Sequence, residues 1–282
     1  MRYRIIEKPT GVKKTTPIVE IESPTIRDFC YIDGLGILFV YDQCIGLIPP
    51  EGNPVVPWRG EEGIKRQEFY ESHFDDPCAL AYNPFTRQLY VLEKCGIKIR
   101  VLENLSVGSN LLKGEDEKVM GVLFSKVVPS GDAKIAFRSP YGIIWTAPDI
   151  HRCLAYSDSR VSILIGDGRG RYSVSNSLAE CSLNSPSDIM TFNNDVFVAD
   201  FENFCIRRIS SKGVSLFCGN PSRKDVQPRR MTLQDNIIYV LDGNSIKSFP
   251  ISNKNGMIVY ESENIIDLTE GKNGLLILEV VK

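Results

Sequence analysis

"SPSDIMTFNNDVFVADFENFCIRRISSKGVSLFCG", residues 185–219, holds four short apolar runs separated by polar turns. Ile189–Phe192, "VFVAD", "CIRRIS" and "VSLFCG" are only four to six residues long. They are rich in β-branched and aromatic side chains and are bounded by Asn, Ser and Gly. Runs of that length and make-up read as strands, because a helix needs ten or more periodic residues to cover its apolar face.

The segment is one copy of a repeating unit. Residues 77–102, "PCALAYNPFTRQLYVLEKCGIKIRVL", follow the same plan. "YVLEKCGIKIR" sets against "FVADFENFCIR" without a gap, so that Glu93 matches Asp200 and Ile99-Arg100 matches Ile206-Arg207. A first copy runs from Pro24 through "ILFVYDQCIGLI" to Gly60. A third begins at "SPYGIIWTA" and ends at Gly166, and a fifth is "QPRRMTLQDNIIYVLDGNSIKSF", closing near Tyr260. The Pro residues 24, 77, 140, 186 and 228 that open the units lie 53, 63, 46 and 42 residues apart, and Gly60, Gly114, Gly166 and Gly219 close them in the same rhythm. Four short strands at such a period point to the blades of a β-propeller.

The chain ends complete the count. "IIDLTEGKNGLLILEVVK" offers two strands, and "RYRII" with "PIVEIES" offers two more. Pairing them makes a sixth blade and hides edges that an open array would expose. The expectation is an all-β, six-bladed propeller over residues 1–282, a single domain whose last blade is closed by strands from both termini.

The unit resembles the NHL repeat: a Pro start, an aromatic or aliphatic residue and Val before an acid, an Asn, and an Ile-Arg pair. The Gly-rich connection "GDGRGRYSVSNSLAECSLNSPSDI" resembles the linker of that family, and "WRGEEGIKRQEFYESHFDDPCAL" is a degenerate version of it. The resemblance covers the whole chain and is strongest in the second and fourth units.

The third unit departs from the pattern. From the second-strand acid to the closing Gly the first, second and fourth units span 18, 21 and 19 residues, but Asp158 to Gly166 is eight. This predicts a blade one strand short. The insertion at 115–137, "EDEKVMGVLFSKVVPSGDAKIAF", precedes it and is apolar enough to lie against it as a strand or short helix.

Composition narrows the function classes. The 282 residues are 43% hydrophobic, with 33 Lys+Arg against 35 Asp+Glu, so a general attraction to nucleic acid or anionic membrane is not expected. "MRYRIIEKPT" turns polar before a secretory core can form, and no stretch is long enough to span a bilayer. Eight cysteines without a C-x-x-C pair read as reduced thiols in the cytoplasm or another reducing compartment. Cys44 and Cys95 occupy matching positions, which raises a disulfide, but two small half-buried side chains explain them better.

No motif names a reaction. "GDGRG" (166–170) lacks the following helix and the G-K-[ST] of a phosphate loop and reads as a turn between blades. The two histidines, His73 and His151, cannot build a His-rich zinc centre. No catalytic residue, metal or cofactor is expected. Two residues beyond each opening position stand Ala79, Gly142, Asp188, Arg230 and Asp267, with Arg27 or Asp28 in the first unit. Asp188, Arg230 and Asp267 are candidates to face one another in the central channel, as an ion-pair cluster or a ligand grip. Basic residues gather in the fourth unit and its exits, where Arg207, Arg208 and Arg229 join Trp58 as candidate partner contacts. The NHL resemblance implies a non-enzymatic scaffold that binds other proteins in a larger assembly. A propeller lyase or lactonase-like hydrolase using channel carboxylates is one alternative, and a face for single-stranded RNA is another.

Overall fold

A strand packed on both faces must be apolar throughout, whereas an outer strand can alternate. "ILFVY", "LYVLE", "IIWTA", "VFVAD" and "IIYVLD" are continuous apolar runs at the second position of their units, and each is buried along almost its whole length. The computed structural model describes residues 1–22, 25–41, 44–50, 74, 76–84, 86–93, 98–108, 111–121, 134–139, 142–157, 160–175, 177–253 and 255–281.

These residues hold strands in six antiparallel sheets. The head of the chain forms β1 (Arg2–Pro9) and β2 (Thr16–Glu22). The first sheet is β3 (Ile26–Ile32), β4 (Gly36–Tyr41) and β5 (Cys44–Ile48); the second is β6 (Pro77–Asn83), β7 (Gln88–Glu93), β8 (Lys98–Gly108) and β9 (Leu111–Gly121). The third is β10 (Ile135–Ser139), β11 (Gly142–Ala147), β12 (Arg152–Ser157) and β13 (Arg160–Ile165). The fourth is β14 (Pro186–Phe192), β15 (Asp195–Asp200), β16 (Cys205–Ser210) and β17 (Gly213–Gly219). The fifth is β18 (Pro228–Gln234), β19 (Ile237–Asp242), β20 (Ser245–Pro250) and β21 (Met257–Glu261). The tail adds β22 (Ile265–Glu270) and β23 (Gly274–Val281), and the sixth sheet runs β22-β23-β1-β2, with Arg2 opposite Val281 and Pro9 opposite Gly274. Head and tail therefore share one sheet.

The core is divided among the sheet-to-sheet interfaces. Leu38, Val40, Leu80 and Val91 join the first and second sheets; Leu92, Ile99, Ile143 and Trp145 join the second and third. Ile144, Leu164, Ile189 and Val198 follow, then Phe197, Phe217, Val240 and Phe249, then Leu241, Ile246, Ile6 and Ile277. Tyr3, Ile5 and Leu278 of the sixth sheet close on Phe29, Phe39 and Tyr41 of the first. First strands of successive sheets lie side by side in the same cyclic order, including β22 against β3. Each large side chain enclosed this way contributes about 1.5–3 kcal/mol.

The third sheet has only three strands between Gly142 and Ile165, as the short spacing predicts, and the end of the insertion supplies the missing one as a strand; the place of that strand in the sheet corrects the sequence reading. The sheet has four strands, and its first, β10, comes from the end of the 115–137 insertion, while residues 115–121 extend β9 of the second sheet. "SPYGIIWTA" supplies the second strand, so Pro140 does not open the unit and Gly142 lies on β11. Misalignment arose because β10 follows Lys134 rather than a proline. The fourth strand expected in the first unit, with Trp58 and Gly60, lies outside the described residues, as do 122–133.

"GDGRG" is the exit of β13. Gly166 has φ +114°, and a Cβ there would stand 2.4 Å from the His151 carbonyl oxygen. Gly219, which ends β17, has φ +82° and the same relation to Phe204 at 2.5 Å. Only glycine suits both the left-handed backbone and the close approach.

Candidate functional site

Each first strand except β10 carries a register irregularity at its start, next to the third residue of the strand or its equivalent: Ile26/Asp28, Pro77/Ala79, Pro186/Asp188, Pro228/Arg230 and Ile265/Asp267. A bulge re-aims the side chain that follows it. In the third sheet the equivalent place is taken by Lys134, whose backbone is bonded twice to Thr146: Thr146 N–H donates to the Lys134 carbonyl at 2.8 Å, and Lys134 N–H donates to the Thr146 side-chain Oγ1 at 2.8 Å. The six positions are thus Asp28, Ala79, Lys134, Asp188, Arg230 and Asp267, one from each sheet.

Their charges meet. Lys134 Nζ donates to Asp28 Oδ1 and, at 3.1 Å, to Asp267 Oδ2, joining the third sheet to the first and sixth. Arg230 Nε stands 3.5 Å from Asp267 Oδ1. Asp28 Oδ2 accepts Leu80 N–H at 2.7 Å, and Asp188 Oδ2 accepts Met231 N–H at 2.6 Å, so two carboxylates reach the backbone of the next sheet. Asp267 accepts its neighbour Leu268 N–H at 2.8 Å. The Lys134 side chain is only 7% exposed and that of Arg230 12%. The structure thus brings Asp188, Arg230 and Asp267 into one cluster with two residues beside them. Asp28 was one of two options in the sequence. Lys134 was missed, although aligning "GIIWTA" on "VFVAD" rather than on "SDIMTF" points to it.

Electrostatics follow from this geometry. Burial raises the Asp28 carboxyl, opposed by Lys134 and reinforced by Asp267. Asp188 is pushed up to about 6, chiefly by burial, against the pull of Lys134, Arg230 and the Met231 N–H. For Lys134, burial and Arg230 disfavour the charge, yet Asp267, Asp28 and Asp188 outweigh them and hold the ammonium above the ordinary lysine range. Buried charges tolerate such a place only when paired and hydrogen-bonded.

The acid and arginine of the repeat form a separate staple. Arg207 Nε donates to Asp200 Oδ2 at 3.0 Å, Asn184 N–H donates to Asp200 Oδ1 at 2.7 Å, and the Arg207 guanidinium lies 4.0 Å from the Tyr172 ring centre. Arg100 and Glu93 repeat the bond at 2.8 Å in the second sheet, with Phe74 under the guanidinium. In the fifth, Lys247 pairs with Asp242, which accepts Gln227 N–H at 2.8 Å. The staple binds the third strand and the linker to the end of the second.

The proposed partner contacts separate accordingly. Arg207, 1% exposed, is enclosed by Asp200, Tyr172 and the Ser173 carbonyl, and this corrects its reading as a contact. Arg208 is half-buried and bonded to Asp195 at 2.7 Å, Arg229 is exposed, and Trp58 lies outside the described residues. His151, in the turn before β12, accepts Ser185 N–H from the entrance of β14 at its Nδ1 (3.1 Å), and His73 is outside the described residues. Among the described residues no group of three or more His, Cys, Asp or Glu stands together as a metal centre, and no helix is long and apolar enough to cross a membrane.

No family model matches the chain, and no curated protein does. Solved structures do resemble it. A streptogramin B lyase is 13% identical over 98% of this chain and 80% of its own, with a TM-score of 0.60. The crystal structure of a nidogen/laminin complex gives 13% identity over 90% and 92%, with a TM-score of 0.59. A protein of unknown function from Bacteroides thetaiotaomicron gives 11% identity over 99% and 76%, with a TM-score of 0.62. At these identities the likeness shows the β-propeller fold alone.

Proposed function

We propose that the chain is a six-bladed propeller of the NHL type that acts as a non-enzymatic scaffold, binding other proteins within a larger assembly in a reducing intracellular compartment. The observation that carries this reading is the central cluster: Lys134, Arg230 and their acids are committed to one another and to backbone N–H groups of neighbouring sheets. Such a hub stiffens a disc and leaves its rim for contacts. The repeated acid–cation staple supports the NHL assignment. Cys30, Cys78, Cys153, Cys181, Cys205 and Cys218 are free thiols, in keeping with a reducing compartment, whereas Cys95 and the side chain of Cys44 lie outside the described residues. The basic patch that suggested RNA is diluted, since Arg207, Arg208 and Arg230 are held by Asp200, Asp195 and Asp267.

One observation favours the enzyme alternative: Asp188, held near 6, suits proton transfer near neutral pH. Affinity purification of the tagged chain from its own cells separates the two readings. A stoichiometric protein partner, retained by the Asp188→Asn variant, is expected. A chain that purifies alone, opens lactone or depsipeptide rings, and loses that activity in D188N would overturn the scaffold.

A further inference from the structure

We propose that the outer edge of the fifth sheet, with the groove between it and the fourth, docks an extended acidic segment of a partner protein; this names the contact surface of the scaffold above and rests on that reading. β21 is the last strand of its sheet, and its first two residues are apolar and in water, Met257 at 67% and Ile258 at 54% exposure. Neighbouring residues of a strand point to opposite faces, so both faces of this edge offer an apolar side chain. On β2 and β13 the exposed large apolar residue is single and less open: Ile18 at 46% beside Pro17, Glu20 and Glu22, and Ile163 at 40% on a strand that opens with Arg160. An open apolar edge is a template for strand addition.

The edge continues into a groove. Asn255 and Gly256, just ahead of β21, form one wall of a cleft of about 480 Å3 whose other lining includes Val226, Phe249, Lys247 and Arg223. Gly256 presses on the Phe249 ring, where a Cβ would come within 2.3 Å. The charge of this region selects the occupant. Arg223, Lys224 and Arg229 are exposed on or beside the linker from β17 to β18, where Asp225 is the sole acid of residues 220–227. Arg223 stands a loose 3.9 Å from Asp225, and its side chain is 75% exposed. A strand running antiparallel to β21 places its C-terminal end at the groove, so carboxylates there meet Arg223 while β-branched residues cover Met257 and Ile258.

The test uses the full chain and a fluorescein-labelled peptide, Val-Thr-Val-Thr-Val-Asp-Glu-Asp, read by anisotropy in low-salt buffer and by amide exchange. Saturable binding is expected, with new protection at 257–261. It should be abolished by Ile258→Lys and weakened about tenfold by Arg223→Glu or by replacing the peptide acids with lysine. Unchanged thermal unfolding of both variants shows that they are folded. Absent saturable binding, equal binding by I258K, or equal binding of the lysine peptide overturns the proposal. So does a wild-type dimer that I258K dissociates, which would make a second copy the occupant, or displacement of the peptide by oligouridine. A native partner still captured by I258K sinks this surface and leaves the scaffold standing, whereas a wild-type chain that captures none sinks the scaffold.

Discussion

Lys134→Met removes the cation that joins three sheets at the centre of the disc. Methionine is unbranched and only one atom shorter than lysine, so the change is mainly one of charge. Asp28 and Asp267, both bonded to the ammonium, would then face each other without it. Breaking a buried ion pair by deleting one partner costs about 3–5 kcal/mol. At about 2–4 °C per kcal/mol for a large domain, Tm should fall by roughly 6–20 °C near neutral pH. The loss should depend on pH in a definite sense. Without Lys134 only the Leu80 N–H opposes the burial that already raises Asp28, and Asp267 reinforces it, so the folded variant holds a proton that the unfolded chain releases. A carboxyl raised by folding adds stability below its unfolded pKa and loses that contribution as pH rises through its folded pKa. The deficit of K134M should therefore shrink towards pH 4–5 and be largest at pH 7–8. Thermal unfolding by near-UV circular dichroism across that range measures it. A variant within about 1 kcal/mol of wild type at every pH would refute the cluster as the hub of the fold.

Asp188 gives a second pH signature. Its folded value of about 6 lies above the ordinary aspartate value near 3.9, a gap worth about 3 kcal/mol that favours the folded state below pH 4 and fades as pH rises through 6. Relative to D188N, wild-type stability should decline over that window in urea titrations; parallel curves would contradict it. Arg207→Met should cost about 3–5 kcal/mol by leaving Asp200 unpaired, while R208M, at a half-exposed pair, should cost under about 1 kcal/mol. Equal losses in denaturant unfolding would undo the distinction between staple and surface. Gly219→Ala should destabilise by about 1–3 kcal/mol and clearly more than Gly11→Ala: both have a left-handed backbone, φ +82° and +74°, but only the Cβ at 219 would also meet the Phe204 carbonyl oxygen, at 2.5 Å, whereas that at 11 would meet nothing within 4 Å. The same unfolding assay orders them, and a G11A loss as large as that of G219A would be contrary.

The architecture was legible because a propeller repeats its grammar. Buried second strands are apolar throughout, and an acid followed seven residues later by a cation marks the staple in Glu93–Arg100 and Asp200–Arg207. Pairing of "RYRII" with "GLLILEVV" followed from edges that had to be covered. The third unit misled because Ala147 replaces the acid and no proline opens β10, so period and spacing slipped by one strand. Lys134 was hidden by that slip. Arg207 was misread for a different reason, since a guanidinium looks like a contact until the carboxylate and ring that enclose it are seen. Whether charges in a channel satisfy one another depends on sheet-to-sheet geometry, which linear spacing does not carry.

Closure of the ring by the two chain ends is tested most directly by Arg2→Cys with Val281→Cys. These residues are opposite in the β1–β23 ladder and lie towards the surface. Mild oxidation should form an intramolecular disulfide in dilute protein, seen as faster migration without reductant and as a higher Tm than the reduced form. Cross-linking only between molecules, or none while the protein stays folded, would show that head and tail do not share a sheet.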